Sequence, residues 1–360
     1  MRVLLCVSLA AAACSIPQKH FVDDAVDASG GAADGPATID AAAVFASCEA
    51  LLPTCGAGGA DSCCQSTLVP GNAPGATSAG ESFYRSFDTV ADVYAGDMSA
   101  PATVSDFRLD DYEVTVGRFR SFVAAGRGTA STAPGAGAGG HPHLPNSGWD
   151  ASWDSGLLAD KAGLVAALKS LSLCTWTDTP ASNESLPLNC LTWYEAMAFC
   201  IWDGGYLPTE AEWNYAAAGG SDQRAYPWSP SAAPATMTID CSYANYDIDF
   251  PEGTFCVNGS VGGANRVGSE SPAGDGRWGH SDLGGNVAEW ILDGFTDNTA
   301  DSTRYPTPCV DCASLTTGVL RGIRGGSFSD SRPILRAGFR ARLRATDRYP
   351  FMGVRCARAP

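Results

Sequence analysis

Cysteine is the side chain with the most chemistry to offer in this sequence, which holds fourteen of them. Cys6 and Cys14 lie in an N-terminal apolar run. Twelve remain: Cys48, Cys55, Cys63, Cys64, Cys174, Cys190, Cys200, Cys241, Cys256, Cys309, Cys312 and Cys356. An even set behind an export signal reads as a disulfide framework. Local spacing pairs Cys174 with Cys190, Cys241 with Cys256, and Cys309 with Cys312, while the four from Cys48 to Cys64 would staple a small knot. Cys200 and Cys356 are left over. A metal is the rival use of Cys309-Val-Asp-Cys312, but one CxxC with neither a second pair nor a nearby histidine makes a poor zinc set.

The other chemical candidates are thinner. His141-Pro-His143 could touch a metal at i, i+2 spacing, and it reads as solvated loop. His280-Ser281-Asp282 has the composition of a triad, yet adjacent residues rarely form one and no nucleophile elbow is present. The Gly262-Gly263 and Gly284-Gly285 runs lack the strand–loop–helix order and the lysine of a phosphate loop. A net charge of −16, with three lysines against twenty arginines, argues against nucleic acid or an anionic membrane as partner of the whole surface. Ten of those arginines fall between Arg321 and Arg358. They read as partners for carboxylates inside the domain; a basic wall for an acidic ligand is the alternative.

The elements that must position these groups begin after a leader. Met1-Arg2, the apolar run from Val3 to Ala13 and the Ala11-Ala-Ala-Cys14 segment describe a lipoprotein signal peptide over residues 1–14. Lipidation is expected at Cys14, with Ser15 favouring the outer membrane of a Gram-negative bacterium. Residues 15–47, rich in Ala, Asp, Gly and Pro, read as a flexible tether. A Cys-rich collar over 48–67 precedes a globular domain over 68–360. Within it, Phe107-Arg-Leu-Asp-Asp-Tyr-Glu-Val114 alternates like a strand. Thr115 can cap a helix carrying Val116, Phe119, Phe122 and Val123, stopped by Gly126. Residues 124–148 read as a long surface loop. Two capping boxes follow, Thr192 with Glu195 and Thr209 with Glu212, the second opening a helix that ends at Gly219-Gly220. Trp213, Trp228 and Trp290 read as core aromatics. The class is α+β with much irregular backbone.

Four motifs stand in a fixed order: Leu207-Pro-Thr-Glu-Ala-Glu-Trp213, Gly285-Asn-Val-Ala-Glu-Trp290, Arg324-Gly-Gly-Ser-Phe328 and Gly353-Val-Arg-Cys356. In that order they resemble the formylglycine-generating enzyme (sulfatase-modifying factor) family, over about four-fifths of the chain. The resemblance implies a compact C-type-lectin-like fold and a Cys200–Cys356 bridge from the central helix to the last strand. It also implies oxidation of a client sulfatase cysteine by copper held between two thiolates, five residues apart, just after Arg-Gly-Gly-Ser. Beside Ser327, which matches an active-site neighbour, those positions are Asp330 and Leu335. Aspartate is a hard ligand and leucine is none, so copper is not expected. The related sulfoxide synthases need iron-binding histidines from a helical domain that is not found in this sequence.

Calcium is the metal the resemblance implies instead, held by oxygen donors. Its first site would use Glu289 with carbonyls of Gly284, Gly285 and Val287, and a second would start at Asn245 and Tyr246. An ion pair between Glu289 and a C-terminal arginine is the alternative. The expectation is therefore an exported lipoprotein carrying a non-catalytic binding or scaffold module for a protein or glycan at the cell surface. Formylglycine generation is the alternative.

Overall fold

Helix-forming segments start where the sequence offers a cap, and strands start where alternation begins. The computed structural model describes residues 45–49, 51–88, 98–230, 239–256, 263–295, 305–315 and 318–360, all within one compact unit. The leader, Cys14 and the tether up to residue 44 lie outside the described residues.

Strand β1 (Ser66–Val69) is followed by a short pair, β2 (Phe83–Tyr84) and β3 (Pro101–Ala102), and then by β4 (Phe107–Asp110). The alternation expected over Phe107 to Val114 is thus a strand only as far as Asp110. Thr115 Oγ1 then accepts the Arg118 amide and opens α1 (Val116–Ala124), which turns Phe119 and Phe122 into the core. Helix α2 (Lys161–Ala167) is short. Helices α3 (Trp193–Trp202) and α4 (Glu210–Ala218) each begin with the expected reciprocal capping box. Gly219, at φ +66°, closes α4 in the left-handed conformation that glycine adopts without a Cβ clash.

Strands β5 (Ala288–Phe295), β6 (Leu320–Arg324), β7 (Ala341–Arg344), β8 (Met352–Gly353) and β9 (Ala357–Arg358) complete the framework. Two main sheets result. One runs β1-β4-β9, all antiparallel; the other runs β7-β6-β5-β8, with β5 and β8 parallel. Every residue of β5 is buried, including Glu289 and Asp293. The largest apolar cluster lies between that sheet and the helices α1 and α3, with Trp193 and Trp290 at its centre.

Six disulfides lock this arrangement: Cys48–Cys64, Cys55–Cys63, Cys174–Cys190, Cys200–Cys356, Cys241–Cys256 and Cys309–Cys312. The three local pairs fall as spacing suggested, and Cys200–Cys356 ties α3 to the lead-in of β9.

The four collar cysteines pair among themselves into the expected small knot, which also packs into the domain. Arg118 in α1 donates to Ser47 Oγ, the Cys63 carbonyl, Asp110 and Asp203, while the Ser47 amide donates to Asp203 Oδ1. The Phe45 ring lies under the Arg358 guanidinium at 3.7 Å. Residues 45–47 therefore belong to the folded domain rather than to the tether. Likewise β1 starts at Ser66, inside the expected collar, because it pairs with β4. One arginine with two buried carboxylates is the physical reason that the first boundary moved, and strand pairing is the reason for the second.

Candidate functional site

Strand β6 ends at Arg324, and two glycines then turn the chain sharply. Gly325 has φ +91° and Gly326 φ +66°, and a Cβ on Gly326 would lie 3.0 Å from the Ile334 carbonyl oxygen. That turn buries Ser327, whose Oγ donates to Asp330 Oδ2 at 2.7 Å and lies 3.1 Å from Ser329 Oγ. Burial pushes the Asp330 carboxyl above its ordinary range, against the Ser327 hydrogen bonds that favour the charged form. A 3-10 turn, Arg332–Leu335, then carries Leu335 into an apolar cluster with Tyr226, Trp228, Ala244 and Tyr246.

The two positions that a copper enzyme of the resembled family fills with thiolates thus hold a serine-bound carboxylate and a fully buried alkyl group. All twelve described cysteines are in disulfides. The donor set does not fit copper(I).

Trp213 and Trp290 are core residues, as expected. Trp228 is not. It is half-buried, stacked between Tyr226 at 5.2 Å and a half-exposed Tyr243 at 5.8 Å. Its ring edge, at Cζ3 and Cη2, packs against the chain at Gly284, which leaves an aromatic ladder at the edge of the site.

Glu289 is where the calcium expectation meets the geometry. Both its carboxylate oxygens accept from Arg355 Nε at 2.8 Å, and Oε2 also accepts from Trp213 Nε1 at 2.7 Å. A cation is already in place, so Glu289 does not fit a calcium ligand; the ion pair with a C-terminal arginine is what forms. Around it, the Gly285 amide bonds the Gly325 carbonyl and the Val287 amide bonds Glu113 Oε1. A Cβ on Gly284 would lie 2.9 Å from the Leu335 carbonyl oxygen.

Asn286, with φ +58°, is the hub that sequence reasoning passed over. Its side chain joins Glu113, Asn245 and the Asn265 amide. Among the described residues Asn245 Oδ1 has no hydrogen-bond partner, and the Tyr246 carbonyl accepts the Cys256 amide. Among the described residues no group of three His, Cys, Asp or Glu side chains is arranged to hold a metal.

Of the ten C-terminal arginines, six pair with described carboxylates of the domain, Arg355 among them. Arg324 and Arg340 reach Glu210, Arg336 reaches Asp88, Arg348 reaches Glu195, and Arg358 reaches Asp110 and Asp203. His141 departs from expectation: it is buried rather than solvated, with Nε2 3.0 Å from Glu212 Oε1 and its ring against Tyr206. Burial alone would lower its pKa, but the Glu212 carboxylate outweighs that and holds it above the ordinary value. No periodicity could have shown this, because the contact joins a loop to α4 across 71 residues. His280 is fully buried and pushed down to about 3, chiefly by burial.

A disulfide-stapled α+β domain with a Gly-Gly-Ser turn beside a capped Thr-Glu-Ala-Glu-Trp helix defines the class: the formylglycine-generating-enzyme fold. The chain belongs to the FGE-sulfatase family, whose model, described as a sulfatase-modifying factor enzyme 1-like domain, matches residues 73–360. It is 30% identical over 251 residues to a formylglycine-generating enzyme of Streptomyces coelicolor, covering 67% of this chain and 74% of that enzyme. It is 29% identical over 202 residues to a Bos taurus protein named inactive C-alpha-formylglycine-generating enzyme 2, covering 52% of this chain and 60% of that protein. The solved structure of PvdO from Pseudomonas aeruginosa shares the fold at 18% identity, with a TM-score of 0.51 over 82% of this chain and 94% of that one.

Proposed function

We propose that this chain is a non-catalytic binding module, built on the scaffold of formylglycine-generating enzymes and presented on the cell envelope as a lipoprotein. One observation carries the reading: Asp330, bonded to Ser327, and the buried Leu335 occupy the positions that thiolates would need. An acidic oxygen and an alkyl group cannot hold copper(I), and no free thiol among the described residues stands ready to replace them. Tyr243, half-buried at the outer end of the Tyr226–Trp228–Tyr243 stack beside the turn, supplies an apolar ring that a protein loop or a sugar face would use. The six disulfides suit an oxidising compartment, as the Ala11-Ala-Ala-Cys14 leader does.

Copper(I) titration of the purified full chain tests the reading. The expected result is no stoichiometric, tight binding and no conversion of a cysteine-containing sulfatase peptide to an aldehyde in a mass spectrum. Tight binding of one copper, with aldehyde formation, would overturn it.

A further inference from the structure

We propose that Cys309–Cys312 is a thiol–disulfide exchange site, with Cys312 as the sulfur that meets a cysteine-bearing client and Arg85 as the cation that holds it as a thiolate. The other five bridges tie segments between 8 and 156 residues apart, whereas this one closes a separation of only 3. Constraint of the unfolded chain grows with loop length, so this bridge has the least to contribute as a staple.

Its surroundings suit exchange. Cys309 is 5% exposed while Cys312 is half-buried, and Val310 between them is 61% exposed. The turn is held without help from the sulfurs. The Thr103 amide bonds the Cys309 carbonyl, the Asp311 amide bonds the Thr103 carbonyl, and Ser105 donates from both its amide and its hydroxyl to the Asp311 carboxylate. Asp311 has φ +45°, a left-handed conformation that aspartate tolerates better than most residues. Further on, the Ser314 amide is bonded to Asp293. The loop can therefore survive reduction in place.

Arg85 is the second, independent observation. Only 2% exposed, it makes no ion pair with a carboxylate among the described residues. Its Nη2 donates to the Pro306 carbonyl, its Cζ lies 4.3 Å from the Tyr305 ring centroid, and its Nε has no partner among the described residues. Its Nη1 donates to Cys312 Sγ at 3.2 Å. Burial holds the Arg85 pKa below its ordinary value although Glu210 and Asp293 act on it without contact, and the anion that would compensate it in direct contact is the Cys312 thiolate.

In the exchange, a client thiolate attacks Cys312 Sγ. The client–Cys312 bond forms, the Cys309–Cys312 bond breaks, and the electron pair leaves on Cys309, which takes up a proton. A second client thiolate then attacks the client sulfur of the mixed disulfide and expels Cys312 as the thiolate beside Arg85. The client dithiol is oxidised by two electrons and the CxxC pair is reduced by two. The pair lies apart from the Ser327–Asp330 turn, and its exchange chemistry holds whichever ligand that turn takes.

Stepwise reduction of the oxidised full chain in dithiothreitol, with acid quench, alkylation and peptide mapping, tests this directly. Cys309–Cys312 should open first, with the other five bridges intact and the fold retained. Released Cys312 should alkylate at pH 6.5 about 3- to 10-fold faster than an ordinary thiol. One equivalent of a dithiol peptide should be oxidised by the native chain and none by Cys312→Ser. Arg85→Gln should remove the fast alkylation; should that variant misfold, the native-chain mapping and the peptide assay still decide. Opening later than Cys200–Cys356, ordinary alkylation, or peptide oxidation persisting in Cys312→Ser would each overturn the assignment.

Discussion

Asp330 and Leu335 show how a family signature and a family chemistry separate at single residues. The Gly325-Gly326 turn, Ser327 and the Phe328 amide bond to Asn286 all serve the backbone, so they persist whatever follows them. Copper needs only two side chains, and both differ. Restoring them is a residue-scale test: the double variant Asp330→Cys, Leu335→Cys should gain copper(I) binding by titration, while either single variant should not. Arg118 is one of the most heavily bonded side chains of the interior. Replacing it with Met leaves Asp110 and Asp203 sharing only Arg358, and should cost about 3 kcal/mol in urea unfolding. A loss under about 1 kcal/mol would mean that Arg358 suffices.

At the scale of elements, capping and cross-linking do what local propensity cannot. Helix α4 is buried on all sides, so its direction is set by the Thr209–Glu212 box and by Gly219 rather than by an amphipathic stripe. Thr209→Ala should cost about 1 kcal/mol for the lost cap, with more from the stranded Glu212. The disulfides differ by what they connect. Removing Cys200–Cys356, which joins elements 156 residues apart, should cost about 2–5 kcal/mol in guanidinium unfolding. Removing Cys309–Cys312 should cost less than about 2 kcal/mol, because a short loop is closed cheaply in the unfolded chain. Equal losses would contradict the ranking.

For the molecule as a whole, the interior is acidic in a way that couples folding to pH. Burial is the first cause that lifts Asp111 and Asp293 to about 7, Asp282 to about 6 and Glu270 to about 8. Groups raised in the folded state favour folding below their unfolded pKa, near 4, and lose that contribution as pH climbs through the folded values. His141, also raised, acts in the same direction. His280 is lowered to about 3 and acts oppositely, its contribution being lost as pH falls from about 6.5. Stability should thus peak in mildly acidic solution, and Tm should fall between pH 5.5 and 8.5 by on the order of 5 °C. A calorimetric scan showing Tm flat or rising over that interval would rule this out.

The sequence by itself determined the class, the helix starts at Thr115, Thr192 and Thr209, the three local disulfides and the inward use of most of the late arginines. Each rests on a short-range rule, such as a cap three residues from its partner or a cysteine close to its mate, or on an ordered set of motifs. Tertiary structure decided what those rules cannot reach. It folded residues 45–47 into the domain through Arg118, buried His141 against Glu212, placed Arg355 rather than an ion on Glu289, left Trp228 half-buried in a stack of rings, and set Arg85 beside Cys312 across 227 residues of chain. In a buried site the partner of a charge is whichever group the packing brings within about 3 Å, and separation along the chain carries no record of that.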